Sequence, residues 1–170
     1  MTANNFRVLA LLVAGCALPG WSQVMFPGTH PCVAAPDARI KVCNEDSDVS
    51  PFHILSLVRE GTKRQLFTYD RSVRVYWAPD SRHVAITVSA GSDSSFIRIF
   101  STEGTMNFVV DQEKLCKRLD STKCGQLSGN GHVYIVVQRW LSKTSLDLKV
   151  HGYGEVGPKG FSFDVSYPLD

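Results

Sequence analysis

The sequence lacks any strong imbalance of charge. Its 170 residues include 18 lysines and arginines against 16 aspartates and glutamates, which gives a formal net charge of +2. A protein that binds nucleic acid or an anionic membrane surface by electrostatic attraction carries an excess of basic residues. The near balance of charge therefore gives no reason to expect either partner.

Long hydrophobic runs are also missing, and the apolar run at residues 8–14 is too short to cross a bilayer. It follows a short segment whose charged residue is Arg7, an arrangement typical of a secretory signal peptide. We expect residues 1–22 to be such a signal. The chain would then be exported, and either periplasmic or anchored at the outer membrane.

Two processing sites remain open for this signal. The sequence Val-Ala-Gly-Cys at residues 13–16 resembles the lipobox of bacterial lipoproteins, in which Cys16 would be lipidated. Alternatively, the small residues Gly20 and Ser22 suit an ordinary signal peptidase. The cysteine directly after a pair of small residues favours lipidation of Cys16.

Beyond Cys16 the chain has four cysteines, Cys32, Cys43, Cys116 and Cys124. An even number in an exported chain argues for disulfides, and four cysteines allow three pairings. We expect the local pairs Cys32–Cys43 and Cys116–Cys124, since each closes a short loop and would stabilise the fold by about 2–3 kcal/mol. The C-x-x-C spacing of zinc sites is absent.

The motifs of common catalytic and metal sites are missing as well. There is no H-E-x-x-H sequence, no G-x-S-x-G elbow and no Walker pattern. The acidic segment at residues 44–48 resembles a calcium loop, but Val49 and Leu55 stand where such a loop needs glycine and glutamate. We therefore expect no enzyme activity, no cofactor and no metal. We expect His83 and His132 to point outward into solvent.

Period-two alternation of apolar residues dominates the rest of the chain and is typical of β-strands. It is clearest at residues 73–104, where Val73, Val75 and Trp77 precede a Pro-Asp-Ser turn. The same alternation predicts strands at residues 39–43, 52–59, 63–69, 73–77, 84–88, 97–99, 106–110, 133–140, 146–150 and 161–167.

Between the strands, Asp111 is a good N-cap for one short helix at residues 112–119. Residues 120–129 are expected to form a loop. Residues 23–36 are rich in proline and glycine and predict a tether. Residues 37–170 then form a single β-rich domain.

A hairpin pattern, His-Val-x-Ile at residues 83–86, recurs at residues 132–135. The recurrence divides the mature chain into three units, at roughly residues 37–70, 71–111 and 126–167. We expect the second and third units to have equivalent hairpins.

The central hairpin, W-x-P-D-S followed by R-x-V-A-I, resembles a blade of the TolB-like and WD-repeat β-propellers. The residues that carry the resemblance are Trp77, Pro79, Asp80, Ser81, Val84 and Ile86. The chain is too short for a closed propeller of four or more blades. We therefore expect an all-β fold of about three antiparallel propeller-like sheets, an incomplete propeller, with one short helix.

The Gly- and Ser-rich segment SAGSDSS at residues 89–95 carries a second resemblance. It is similar to the loop with which immunity proteins of type VI secretion peptidoglycan amidase effectors plug the active-site cleft of the enzyme. This resemblance implies a protein partner, a peptidoglycan hydrolase, and partner-binding residues Ser89, Gly91, Ser92, Asp93, Ser94 and Ser95. A long loop on a rigid scaffold is a frequent place for binding function.

Other functions stay open beside this one. The chain could be a lipoprotein accessory module of an envelope complex, or a small hydrolase. Tyr69, Tyr76 and Trp140 are candidates for aromatic anchors of a binding surface.

Overall fold

The computed structural model describes residues 23–46, 51–104, 107–154 and 160–169. The expected signal peptide, with Cys16, lies outside the described residues. The strands are β1 (Val24–Phe26), β2 (Cys32–Ala34), β3 (Ile40–Glu45), β4 (His53–Arg59), β5 (Thr62–Tyr69), β6 (Val73–Trp77), β7 (His83–Ala90), β8 (Ser94–Ser101), β9 (Asn107–Val110), β10 (His132–Ser142), β11 (Ser145–Tyr153) and β12 (Phe161–Pro168). The helices are α1 (Gln112–Cys116) and α2 (Ser121–Ser128).

The strands form two open sheets, so the predicted all-β class is confirmed and the predicted count of three sheets is wrong. The smaller sheet has the order β2-β3-β4-β5. The larger sheet has the order β1-β6-β7-β8-β10-β11-β12, with β9 also paired to β8. The second and third units share one sheet because Val133 and Tyr134 pair in parallel with Ser94 and Ser95. Neither sheet closes as a propeller does.

The first core lies between the smaller sheet and one face of β6 and β7. It joins Val42 and Leu55 of the smaller sheet to Val75 and Ile86 of the larger one. Trp77 belongs to the same core, and its indole Nε1 donates to the carbonyl oxygen of Val33 at 3.4 Å. Burial of this apolar surface holds the two sheets together.

The second core lies on the opposite face of the larger sheet. Ile97 and Ile99 of β8 pack there with Leu115 of α1, Leu127 of α2 and the inward side chains of β10 and β11. Both helices are needed to cover this face, because an uncovered row of isoleucines and valines would be exposed to water.

The predicted N-cap of α1 is confirmed, since the Asp111 carboxylate accepts from the amide of Lys114 at 2.9 Å. The helix is shorter than predicted and ends at Cys116. The predicted loop at residues 120–129 is wrong because α2 occupies it. Asp120 caps α2 by accepting from the amide of Lys123 at 2.9 Å.

The segment at residues 23–36, expected as a tether, carries two strands of the sheets. β1 pairs with β6, and its Phe26 side chain is 0% exposed. β2 pairs with β3, with Cys32 opposite Cys43. Short strands flanked by proline and glycine give little periodicity, so the sequence pattern missed them.

Both predicted disulfides are confirmed. Cys32–Cys43 links β2 to β3 with a Cα–Cα distance of 4.0 Å, and Cys116–Cys124 links α1 to α2 with a distance of 4.8 Å. Such bridges are typical of proteins that fold in an oxidising, extracytoplasmic environment. Among the described residues no helix is long and apolar enough to span a membrane.

Candidate functional site

The turn between β7 and β8 is much shorter than the predicted seven-residue loop. The ladder continues through Ser89 opposite Ser95 and Ala90 opposite Ser94, so only residues 91–93 form the turn. The predicted loop is too long because the prediction ends both strands at the first small polar residues. Here they continue the backbone pairing instead.

The tip of this turn consists of Ser92 and Asp93, whose side chains are exposed. We call this pair the turn tip. Its backbone is held against β10, because the Tyr134 hydroxyl donates to the Ser92 carbonyl at 2.7 Å and the Val133 amide donates to the Asp93 carbonyl at 2.9 Å. The turn tip is thus a fixed feature with two exposed polar side chains, of which Asp93 also accepts from the Ser94 hydroxyl at 3.4 Å.

The serines that follow the turn tip bond within the chain. The Ser94 hydroxyl donates to the Ala90 carbonyl at 2.7 Å. Ser95 is 7% exposed, and its hydroxyl both donates to the carbonyl and accepts from the amide of Ile135, each at 3.0 Å. Of the six predicted partner-binding residues, Ser95 therefore serves the scaffold in this conformation. The partner-binding role stays a prediction. The turn tip is the part of this segment whose side chains are exposed to a partner.

After Tyr134, β10 leaves the ladder of β8 and crosses the face of β7 and β6. The Val137 amide donates to the Thr87 hydroxyl at 3.1 Å, and the Trp140 indole donates to the Tyr76 carbonyl at 2.9 Å. The hydroxyls of Ser95 and Thr87 thus take the place of a neighbouring strand. They accept from the amides of Ile135 and Val137, which would otherwise be buried without a partner.

The three aromatic residues proposed as surface anchors are buried. Tyr69, Tyr76 and Trp140 are 4%, 7% and 1% exposed. They fill the two cores and are not available to a partner, so that prediction is wrong. Alternation alone does not tell an inward aromatic side chain from an outward one when both faces of a sheet are covered.

A cleft of about 240 Å³ opens where β10 leaves β8 and crosses β7 and β6. Its lining residues come from five strands and the turn before β6, and are Ser72, Arg74, Thr87, Ser89, Ser95, Tyr134, Val136 and His151. Among them Arg74 is the one permanently charged side chain, and none is a carboxylate. No motif in the sequence marks this cleft, because residues far apart in the chain converge on it.

Beside the cleft, four rings stack in cross-strand pairs on the outer surface of β10 and β11. The centroids of His132 and Tyr153 lie 4.3 Å apart, and those of Tyr134 and His151 lie 5.2 Å apart. We call these four residues the aromatic face. Tyr153 is 52% exposed. Stacked cross-strand pairs of this kind stabilise a sheet and give it a rigid surface.

The histidines expected in solvent are in fact half-buried. His132 stacks on Tyr153, and the ring of His83 lies 6.3 Å from that of Trp140. Each has a buried Nδ1 atom without a hydrogen-bond partner among the described residues. His132 does point to the outer surface of β10, but the expectation that both histidines lie freely in solvent is wrong.

The electrostatics of the cleft favour uncharged rings. Burial lowers the pKa of His151, and the nearby Lys149 lowers it further. Hydrogen bonding with Tyr153 raises the pKa of the Tyr134 hydroxyl, and burial adds to the effect. Near neutral pH, His151 is therefore neutral and Tyr134 is protonated.

A histidine–carboxylate pair lies at the far end of the smaller sheet. Nδ1 of His53 lies 2.6 Å from Oδ1 of Asp46, which also accepts from the Asn44 amide at 2.9 Å. The bond with His53 lowers the pKa of Asp46. No described serine or cysteine hydrogen-bonds to either residue, whereas the nucleophile of a hydrolase hydrogen-bonds to its base. It ties the ends of β3 and β4 together.

The described residues contain no group of three or more histidine, cysteine, aspartate or glutamate side chains that could hold a metal. The turn tip, the aromatic face and the cleft adjoin one another and together form the candidate site. No family model, curated protein or solved structure matches this chain.

Proposed function

We propose that this chain is an exported protein that acts by binding a protein partner through the turn tip. The exposed side chains of Ser92 and Asp93 support the proposal, because they stand on a backbone that β10 already holds in place. A segment ordered before binding loses little conformational entropy when it enters a partner.

The most concrete form of the proposal is an inhibitor of a cell-wall hydrolase. The likeness of residues 89–95 to the cleft-plugging loop of immunity proteins supports this form. The turn tip presents a carboxylate and a hydroxyl side by side, and these groups can hydrogen-bond to the catalytic groups of an enzyme. Blocking the cleft in this way excludes substrate without any chemistry on the inhibitor.

The aromatic face gives the partner a second surface to cover. The hydroxyl of Tyr134 bonds to the turn tip, so the two features adjoin. Tyr153 presents half of its surface to solvent. Tyrosine is enriched among the residues that contribute most to protein interfaces.

The test is an inhibition assay on labelled peptidoglycan with a panel of peptidoglycan amidases and endopeptidases. We expect stoichiometric inhibition of at least one enzyme by the purified protein. The double variant Ser92→Arg, Asp93→Arg should lose that inhibition, because two bulky cations replace the small polar tip.

A matched control is available at the turn between β10 and β11. Thr144 is exposed there, in the hairpin that repeats the β7–β8 pattern. The variant Thr144→Arg should inhibit like the wild type. Full inhibition by the double variant at the turn tip would contradict the proposal.

A further inference from the structure

The cleft beside β10 is rich in hydrogen-bond donors and has no acidic group in its lining. Arg74 lines the cleft with an exposed side chain, and its guanidinium also hydrogen-bonds to the hydroxyl of Tyr76. Among the described residues it has no carboxylate within ion-pair distance, unlike Arg139, whose Nε lies 3.1 Å from Asp147. A guanidinium has five donors and no acceptor.

The hydroxyl groups of the lining also have hydrogens left to donate. Thr87 Oγ1 accepts from the Val137 amide, so its own hydrogen remains available among the described contacts. The hydroxyls of Ser72 and Ser89 lie 3.0 Å apart, and only one of the two hydrogens is used in that bond. Each hydroxyl carries one donor and two acceptor sites.

His151 adds a further polar atom to the same wall. Its Nδ1 is buried and has no hydrogen-bond partner among the described residues. A buried polar atom without a partner is costly, so a shift of the ring that gave it a partner in the cleft would be stabilising. Val136 provides an apolar patch between these groups.

We propose that this cleft binds a small ligand through a carboxylate group. The guanidinium of Arg74 pairs with the carboxylate, and the hydroxyls of Ser72, Ser89 and Thr87 with the imidazole of His151 complete its hydrogen bonds. Arginine and carboxylate groups form two parallel hydrogen bonds that fix orientation as well as charge.

Charge and size both favour a carboxylate over a phosphate. The lowered pKa of His151 leaves one positive charge in the lining near neutral pH, which matches one carboxylate. Lys149 lies close to His151 but is exposed and is not part of the lining. The volume of about 240 Å³ suits a small acid or the carboxyl end of a longer molecule.

The experiment is a nuclear magnetic resonance titration of the purified protein with N-acetylalanine, a small acid that resembles a peptide C-terminus. The neutral N-acetylalaninamide is the matched probe. We expect the acid to shift the resonances of Thr87, Ser89 and the His151 ring, and the amide to leave them in place. Equal shifts with both probes, or none with the acid, would overturn the proposal.

Variants of Arg74 separate the ion pair from general effects. Arg74→Gln should weaken binding of the acid about tenfold or more, because a charged hydrogen bond is lost. Arg74→Lys should fall between the two, since it keeps the charge without the fork, and it serves as the test if Arg74→Gln does not fold. Arg71→Gln, at an exposed neighbour outside the lining, should bind like the wild type.

Two further outcomes decide the proposal. Unchanged affinity in both Arg74 variants would refute it, and tighter binding of inorganic phosphate than of the acid would refute the carboxylate assignment. The inference goes beyond the turn tip, so the variant Ser92→Arg, Asp93→Arg should bind the acid normally. Failure at the cleft and failure at the turn tip are therefore distinguishable.

Discussion

Ser95 shows how a single side chain can join two parts of a sheet. Its hydroxyl makes both hydrogen bonds to the peptide groups of Ile135, where a neighbouring strand would otherwise make them. These bonds lie in a buried place. A residue expected to contact a partner instead supports the strand that positions the turn tip.

The variant Ser95→Ala should therefore destabilise the fold. It leaves the buried amide of Ile135 without an acceptor, at a cost of about 1–3 kcal/mol. Urea unfolding followed by circular dichroism measures the loss. The exposed Ser92→Ala is the control and should stay within about 0.5 kcal/mol of the wild type. Equal losses in the two variants would mean that the Ser95 bonds contribute nothing.

His151 makes stability depend on pH in a defined direction. Its pKa in the folded state lies below the usual 6.5, through burial and then through Lys149. The unfolded chain therefore binds a proton more readily, and stability falls as pH drops below about 6.5. Among the described residues, the charged or titratable groups around it are Lys149 and Tyr153 on its own strand, His132 and Tyr134 on β10, and Arg74 on β6.

Urea unfolding at about pH 7.5 and pH 5.5 tests this prediction, and the window avoids the titration of carboxylates. The wild type should be less stable at the lower pH, and His151→Gln should lose part of that difference. His30→Gln, at an exposed histidine, is the matched control and should behave like the wild type. A difference unaffected by His151→Gln would refute the assignment.

At the scale of elements, Gly152 allows β10, β11 and β12 to approach closely. A Cβ atom added there would overlap the carbonyl oxygen of His132 and lie 2.7 Å from Cε1 of Phe161. Gly152 is buried in the strand, and the His132 carbonyl belongs to the backbone of β10, which cannot turn aside as a side chain can.

Gly152→Ala should destabilise the protein by about 1–3 kcal/mol through overpacking. Gly125→Ala should do the opposite, because Gly125 lies in α2 with nothing within 4 Å of the added atom. Alanine is favoured over glycine in a helix by about 0.5–1 kcal/mol. Thermal unfolding of both variants compares the signs, and a stabilised Gly152→Ala would contradict the packing argument.

The elements also show where sequence patterns succeed. Strands of five residues or more alternate clearly, as at Val73–Trp77 and Phe161–Pro168, and they were predicted within a few residues. The sequence pattern does not predict helix α2, because Leu127 is its single buried apolar residue. Its position depends on the Asp120 cap and on the bridge from Cys116 to Cys124, which periodicity does not register.

At the scale of the whole molecule, contacts between residues distant in sequence create features that the periodicity of apolar residues does not predict. The union of two units into one sheet rests on the pairing of Ser94 and Ser95 with Val133 and Tyr134. The cleft exists because β10 then leaves β8 and crosses β7 and β6, where Trp140 bonds to Tyr76. Both features follow from side chains brought together only by the complete fold.

The same architecture leaves the side chains of the turn tip exposed to a partner, whereas the other residues predicted to contact a partner are buried or half-buried. The chain places its aromatic anchors in two cores and its serines in internal bonds. It leaves a two-residue polar tip, a stacked aromatic face and a donor-rich cleft on adjoining surfaces. Partner binding at the tip is the central claim.

Hydrogen exchange of backbone amides tests that claim most directly, measured for the protein alone and in complex with any cell-wall hydrolase that it is found to inhibit. We expect slower exchange in the complex at residues 91–93 and at the ends of β10 and β11 that carry the aromatic face. Exchange on the smaller sheet should not change. Protection confined to the smaller sheet, with residues 91–93 unaffected, would contradict it.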